Sequence, residues 1–428
     1  MKKVSLISLG CAKNLVDSEN ILGLFKYDGY EITSNLQEAD VIVVNTCGFI
    51  ESSKKESIDY IFEALSYHKQ VIITGCLVQR YQKELEKEIP EADSFIAIRD
   101  YDHFNQFLKK MGLDTKDDKG LRDDLRVLST PFYSAYLRIG DGCSNCCTYC
   151  AIPLIRGPYV SRPYMDIIKE AKELAKKGVK EVIVLEQDTT KYGIDLENQN
   201  IVTLLKGLLE IKELEYIRLF YLYPDEISDE LIDLIAKEKR LTPYFDIPIQ
   251  HSESHILKDM NRRGDKEFLL SLFQKIKQRV PHAVLRTTVM VGFPGESEED
   301  VDKLCQFIEE VGFDHLGAFT YSKEEGTKAY NFVNQIDEKI KTERLKKVME
   351  TAQRVSYRKN KEHFDEVMEG IVVGKRNDDY LVRTYWNAPD DVDGHIYMHS
   401  EKEHHEGDNV KLKIKEIFVY DLFGEELI

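Results

Sequence analysis

An α/β chain of several domains is predicted: a flavodoxin-like N-terminal parallel sheet, a partial (β/α)6 barrel, and a small OB-like C-terminal β-barrel. Three observations predict it. Over the first hundred residues, continuous β-branched runs such as Val41–Val44 and Val71–Thr74 alternate with helical periodicity, the pattern of parallel strands covered on both faces. From about residue 131 to 330 a strand–helix unit repeats six times, as in a parallel barrel. Beyond about residue 364, short β-rich pieces are separated by Asp- and Gly-rich turns, as in a small closed barrel. The boundaries read as 1–125, 131–360 and 364–428.

In the first domain, Val4–Leu9 reads as a strand. Asn14–Tyr27 is helical, with Leu15, Ile21, Leu22 and Phe25 on its apolar face. Val41–Val44 and Val71–Thr74 are buried strands; Ser52–Ser66 and Gln79–Glu88 are helices. Cys11, Cys47 and Cys76 each fall just after a strand. In a parallel sheet all such ends lie on the ligand-binding edge, so three distant thiols converge. Three unrelated buried cysteines are the alternative; recurrence at equivalent strand ends favours one three-Cys cluster site. The polar stretch Asp114–Gly120 reads as a linker.

In the second domain the expected strands are Tyr136–Ile139, Glu181–Leu185, Tyr216–Leu222, Tyr244–Ile247, Val284–Val291 and His315–Tyr321. Helices are expected at Met165–Lys177, Ile227–Lys237, Lys266–Val280 and Glu298–Val311. The loop after the first strand carries Cys143-x3-Cys147-x2-Cys150, three thiols within eight residues. Soft thiolates on a compact loop suit iron–sulfur clusters, and three ligands for a four-iron cube leave one iron open for a small molecule. The same stretch contains two CxxC pairs, Cys143/Cys146 and Cys147/Cys150. They lie too close together for a zinc ribbon, which separates its pairs by a longer loop, and no thioredoxin-like pattern surrounds them. Cys146 is left without a role. Polar residues cluster after the later strands, at Glu186–Gly193, Tyr221–Pro224, Asp246–His251 and Val291–Glu296, where a barrel places its active residues. His251 need not be a metal ligand.

The composition is that of an ordinary water-borne chain, with 42% hydrophobic and 32% charged residues over 428 positions. No apolar run approaches the roughly 20 residues a membrane span needs, and the Met1–Cys11 start reads as a first strand rather than a leader. Eight cysteines in a chain of this kind point to metal chemistry in a reducing cytoplasm rather than disulfides. Residues 335–363 form a polar helix that reads as a solvated face. The net charge is −17, and from Asp365 onward 16 Asp and Glu stand against 7 Lys and Arg, a net of −9. Such a barrel disfavours generic nucleic-acid binding and favours a basic protein partner.

Taken together, Ser8–Glu19, Asn45–Ile50, the Cys143–Cys150 loop with Tyr149 before its last thiol, Gln187–Gly193, Asp246–His251, Arg286–Thr288, Val291–Glu296 and Phe319–Thr327 resemble the radical S-adenosylmethionine (SAM) methylthiotransferase family along nearly the whole chain. The departure is Cys146, where the family commonly has another residue. The resemblance implies two [4Fe-4S] clusters, one on Cys143, Cys147 and Cys150 that cleaves SAM, the other on Cys11, Cys47 and Cys76 that supplies sulfur. It implies an external electron donor and a C-terminal TRAM barrel, and it places SAM near Tyr149, Gln187, Gln250, Arg286, Gly292 and Glu296. Within the family the likeness is greater to the branch that modifies the β-carbon of an aspartate in small-subunit ribosomal protein twelve than to the branch that modifies tRNA. The acidic barrel agrees with a basic protein substrate. A two-cluster electron carrier is a further alternative, but it needs no pocket-bearing barrel.

Overall fold

The computed structural model describes residues 1–389 and 392–427; the expected last domain, 364–428, thus has Asp390, Asp391 and Ile428 outside the described residues. In the first domain, strands β1 (Lys3–Ser8), β2 (Glu31–Ile32), β3 (Val41–Thr46), β4 (Gln70–Gly75) and β5 (Ser94–Ile96) form one parallel sheet in the order β2-β1-β3-β4-β5. That is the flavodoxin-like order, with its switch point between β1 and β3. Helices α1 (Ala12–Asp28), α2 (Glu51–Ser66), α3 (Cys76–Glu88) and α4 (Phe104–Lys110) cover it. The two- and three-residue strands β2 and β5 were not expected, being too short to show a period. The expected linker is instead held against this domain. Lys116 N–H donates to Asp28 (2.8 Å) and Leu121 N–H to Tyr101 O (2.9 Å). A Cβ on Gly120 would lie 1.8 Å from that same oxygen. Polar turn residues that bond back to the backbone look the same in sequence as a free linker.

The second domain begins with β6 (Ser134–Arg138), followed by a small hairpin of β7 (Gly140–Asp141) and β8 (Val160–Ser161) around α5 (Ile152–Arg156). It continues α6 (Tyr164–Lys176), β9 (Glu181–Leu185), α7 (Ile201–Leu209), β10 (Tyr216–Leu219), α8 (Asp229–Lys237), β11 (Tyr244–Asp246), α9 (Ser254–Asp259), α10 (Lys266–Arg279), β12 (Val284–Val291), α11 (Glu298–Val311) and β13 (His315–Thr320). The six expected strands are present and run parallel, as the sheets β10-β9-β6 and β11-β12-β13, though β10 stops at Leu219, short of the expected Leu222. The halves meet where Leu222 N–H donates to Asp246 O (2.8 Å), beside Tyr221 at φ +59°. Among the described residues no ladder joins β6 to β13, so the barrel is partial.

Helix α12 (Glu338–Asn360) leads to the C-terminal domain. Only part of its basic side is the solvated face expected: Lys341 and Arg344 are buried, with Lys341 Nζ on Tyr321 O (2.9 Å) and Arg344 on Glu296 (2.7 Å). A Lys/Arg-rich helix reads as solvated unless the buried acceptors opposite it are known. Strands β14 (Val367–Arg376), β15 (Asp379–Arg383), β16 (Ile396–His399), β17 (Asn409–Ile417) and β18 (Leu422–Glu426) close a five-stranded barrel. The last strand starts later than the expected Tyr420–Leu422, because Phe418 N–H donates to Asp421 O (2.9 Å) and makes a turn there.

This small barrel seals the N-terminal ends of the large barrel's strands. Trp386 is fully buried in a core shared with Tyr136, Ile183, Tyr244 and Val284. Arg383 meets Glu181 (2.9 Å), Arg218 donates to Thr384 O (2.8 Å), and Tyr244 donates to Asp393 (2.6 Å). The C-terminal strand ends are left to the first domain.

Candidate active site

All six expected cluster cysteines line one cavity of about 590 Å³ between the first domain and the C-terminal ends of the barrel strands. The first trio is assembled by the sheet. Cys11 caps α1, Cys47 follows β3, and Cys76 opens α3, which starts three residues before the expected Gln79. Two glycines permit the close approach. A Cβ on Gly10, at φ +89°, would lie 2.9 Å from Cys47 Cβ, and one on Gly48 would lie 2.7 Å from Leu77 N. Ser57 fixes the Cys47 backbone, accepting from its N–H (3.0 Å) and donating to its carbonyl (2.9 Å).

The second trio is held by one loop, pinned from outside. Cys143 N–H donates to Gly157 O (3.1 Å), Cys150 N–H to Cys147 O (3.0 Å), and Thr148 N–H to Met260 O (3.0 Å). Asn261 Nδ2 donates to Asn145 O (3.2 Å) and Cys146 O (3.1 Å). Cys146 has φ +54°, is exposed, and does not line the cavity.

None of the eight cysteines is in a disulfide. Burial pushes Cys76 up to about 12 and Cys143 up to about 11, and raises Cys47 and Cys150. These thiols are therefore protonated at neutral pH without a cluster, and metal loading must displace the protons. The donor set fits two cubane clusters: three soft ligands each, one trio from three strand ends and the other from one loop, facing one space large enough for a ligand as well.

Of the six residues expected around SAM, four line the cavity: Tyr149, Gln187, Gln250 and Arg286. Gln250 sits at φ +69°, and its Oε1 is buried with no hydrogen-bond partner among the described residues. A strained residue with an unsatisfied polar atom marks a place where a ligand completes the bonding. Arg286 is tied to Asp246 (2.7 Å). Gly292 and Glu296 do not line the cavity. The Glu296 carboxylate accepts from Gly292 N–H (2.8 Å) and Arg344 (2.7 Å), so it braces the loop after β12 from behind. His251 is likewise buried outside the cavity, its Nδ1 accepting from Glu253 N–H (3.0 Å).

Several lining residues were not singled out in the sequence. Lys13 is buried on Asp141 (2.9 Å) and Glu186 (2.8 Å) and also donates to Gln187. Arg262 reaches to 3.9 Å from Cys147 Sγ, bonds Tyr149 Oη (3.4 Å) and Pro248 O (2.6 Å), and stacks on Tyr223 at 4.3 Å. Arg156 pairs with Asp17 across the domain seam. On the other side of the cavity, Glu324 receives Arg80 (2.9 Å) and Lys54 (3.1 Å). None of these basic residues differs in sequence from a surface one; only the folded seam shows what they face.

Comparison with known proteins adds to this geometry. Residues 3–97 match Uncharacterized protein family UPF0004, residues 137–308 the radical SAM superfamily, and residues 366–427 the TRAM domain. The chain is 45% identical to the ribosomal protein uS12 methylthiotransferase RimO of Aquifex aeolicus (strain VF5), over 99% of this chain and 97% of that one. It is 44% identical to the protein of the same name from Clostridioides difficile (strain 630), over 100% and 99%. Among solved structures, the radical S-adenosylmethionine methyltransferase TsrM of Kitasatospora setae superposes with a TM-score of 0.55 at 14% identity, covering 75% of each chain. That likeness is one of fold.

Proposed function

The chain belongs to the ribosomal protein uS12 methylthiotransferase RimO family, and from that premise we propose that it adds a methylthio group to the β-carbon of an aspartate in uS12. Two [4Fe-4S] clusters and SAM supply the radical, the sulfur and the methyl group that an unactivated carbon requires, since no acid or base in the cavity could remove hydrogen from it. We assign the radical-generating cluster to Cys143, Cys147 and Cys150, and the sulfur-bearing one to Cys11, Cys47 and Cys76.

The observation that supports this reading most is the shared cavity. Both trios open on the same space, so one substrate carbon can be served from both sides without leaving it. The chain's own residues hold that arrangement. Tyr149, Gln187, Gln250 and Arg286 offer SAM an aromatic face, two amides and a cation. Gly292 and Glu296 shape the loop behind them. Lys13 and Arg156 on one side, and Arg80, Lys54 and Glu324 on the other, close the first domain over the barrel and exclude water.

An external reductant in the cytoplasm completes the system. No described helix is long and apolar enough to cross a membrane. The acidic barrel lies at the far end of the strands from the cavity, with Asp365, Glu369, Asp378, Glu401, Glu403 and Glu406 exposed. Its role is a second contact with a basic partner, apart from the reacting side chain.

The test is an anaerobic incubation of cluster-loaded protein with SAM and reductant, offering small ribosomal subunits and tRNA in parallel. A methylthio mass increment on uS12 is expected. An increment on tRNA alone would overturn the substrate, and no increment on either would overturn the activity.

A further inference from the structure

Arg156 belongs by sequence to the barrel domain, with the Cys143–Cys150 loop, but by position to the Cys11, Cys47 and Cys76 trio. It ends α5, six residues after Cys150, and crosses the seam between domains. There it is 2% exposed and lies 2.7 Å from Asp17 of α1. It bonds Asn14 Oδ1 (3.3 Å), the same atom that faces Cys76 Sγ at 3.9 Å. It also approaches Asp141 (3.3 Å) and lines the cavity beside Cys11 and Cys76. Asp17, equally buried, is shared with Arg138 (2.6 Å). No other Lys or Arg of the cavity lining both faces the first trio and is anchored beside the second; Lys13 turns to Glu186, and Arg262 to Cys147.

We propose that Arg156 is a positioning residue for the sulfur-bearing cluster: a buried cation, lent by the radical domain, that sets the charge felt by the Cys11, Cys47 and Cys76 site. The inference rests on the assignment of a cluster to those three cysteines. Its physical basis is that a cluster's potential follows the net charge and hydrogen bonds around its sulfurs. A full charge in a water-excluded seam is weakly screened. Because the charge arrives from the other domain, the first trio has its working environment only when the domains are docked. A local loop supplies its own surroundings; a trio spread over three strands receives them from its neighbour.

The experiment is a potentiometric titration of reconstituted full-length protein, followed by electron paramagnetic resonance. The radical-SAM cluster is identified as the signal that SAM addition alters. Arg156→Gln is expected to lower the potential of the other cluster, Asp17→Asn to raise it, and Arg156→Lys to leave it near that of the unmodified protein, with the SAM-responsive signal unmoved in all three. Opposite shifts from two substitutions at one ion pair are a charge effect that loosened packing does not produce, and either variant alone decides the sign if the other fails to fold. No shift, shifts of the same sign, or equal movement of both clusters would overturn the proposal. A protein that binds only one cluster would overturn the assignment beneath it, which the iron content reports separately.

Discussion

Cys143, Cys147 and Cys150 sit within eight residues of one loop, whereas Cys11, Cys47 and Cys76 are brought to one sheet edge by β1, β3 and β4. The loop trio needs little beyond its own turn: a glycine before it, a left-handed Cys146 within it, and a few backbone bonds from Gly157 and Met260. The dispersed trio needs the whole parallel sheet, two glycines for close approach, and a second domain across the seam. The difference teaches that a local motif carries chemistry, while a dispersed one also carries domain arrangement. Damage to the first should remove a reaction step; damage to the second should uncouple steps.

Removing one thiol from each trio has the largest expected effect. Cys143→Ala is expected to abolish SAM cleavage altogether. Cys76→Ala is expected to spare cleavage and abolish sulfur insertion. Product analysis for cleaved SAM and for methylthio-modified protein separates the two, and sulfur insertion by Cys76→Ala would refute the division of labour.

Next in size is the environment of the loop trio. Arg262→Met removes a donor facing Cys147 and the stack on Tyr223. Loss of an outer hydrogen-bond partner of a metal ligand typically lowers affinity or activity about 10–100-fold. SAM cleavage should fall by that order while the other cluster's spectrum stays unchanged.

A separate effect, on stability rather than on turnover, is expected at the seam. Glu324→Gln leaves Arg80 buried without its counter-charge, which destabilises by roughly 3–5 kcal/mol when a buried pair is broken. Burial pushes the Glu324 carboxyl up, but hydrogen bonds from Arg80, Ser322 and Lys54 outweigh it and hold the group below its ordinary value. A carboxyl depressed in the folded state stabilises above its unfolded value and loses that contribution as pH falls through its folded one. The stability gap between the unmodified chain and Glu324→Gln should therefore be full at pH 7 and shrink in the acid range below the ordinary carboxylate value, as acid unfolding curves would report. A gap independent of pH would argue against the ion pair as its source.

At the small end, Cys146→Ser should change neither iron content nor either activity, since Cys146 is exposed and does not line the cavity. A measurable loss of iron would restore it as a ligand.

Much of this follows from period and composition. Continuous β-branched runs place strands in a parallel sheet, and residues following such strands share an edge whatever their separation, so Cys11, Cys47 and Cys76 could be grouped. The six barrel strands and the acidic small barrel likewise announce themselves through period and composition. What could not be read is the direction of long polar side chains. Lys341 and Arg344 look like surface residues until Tyr321 O and Glu296 are seen opposite them. Glu296 sits in a strand-end cluster as a ligand would, yet its carboxylate turns back to its own loop. Arg156 reads as the tail of a short helix and is instead the cation between domains. For Lys341, Arg344 and Arg156 the partner lies across a gap of tens to hundreds of residues, and period and spacing carry no information about it.

In the proposed function two clusters face one another across a single cavity. The most direct measurement is electron paramagnetic resonance of the fully reduced, two-cluster protein, set against full-length variants lacking either trio. Magnetic interaction between two neighbouring clusters is expected in the unmodified protein, with each variant reduced to one isolated, unperturbed spectrum. Two non-interacting spectra, or the loss of both clusters on removal of either trio, would contradict it.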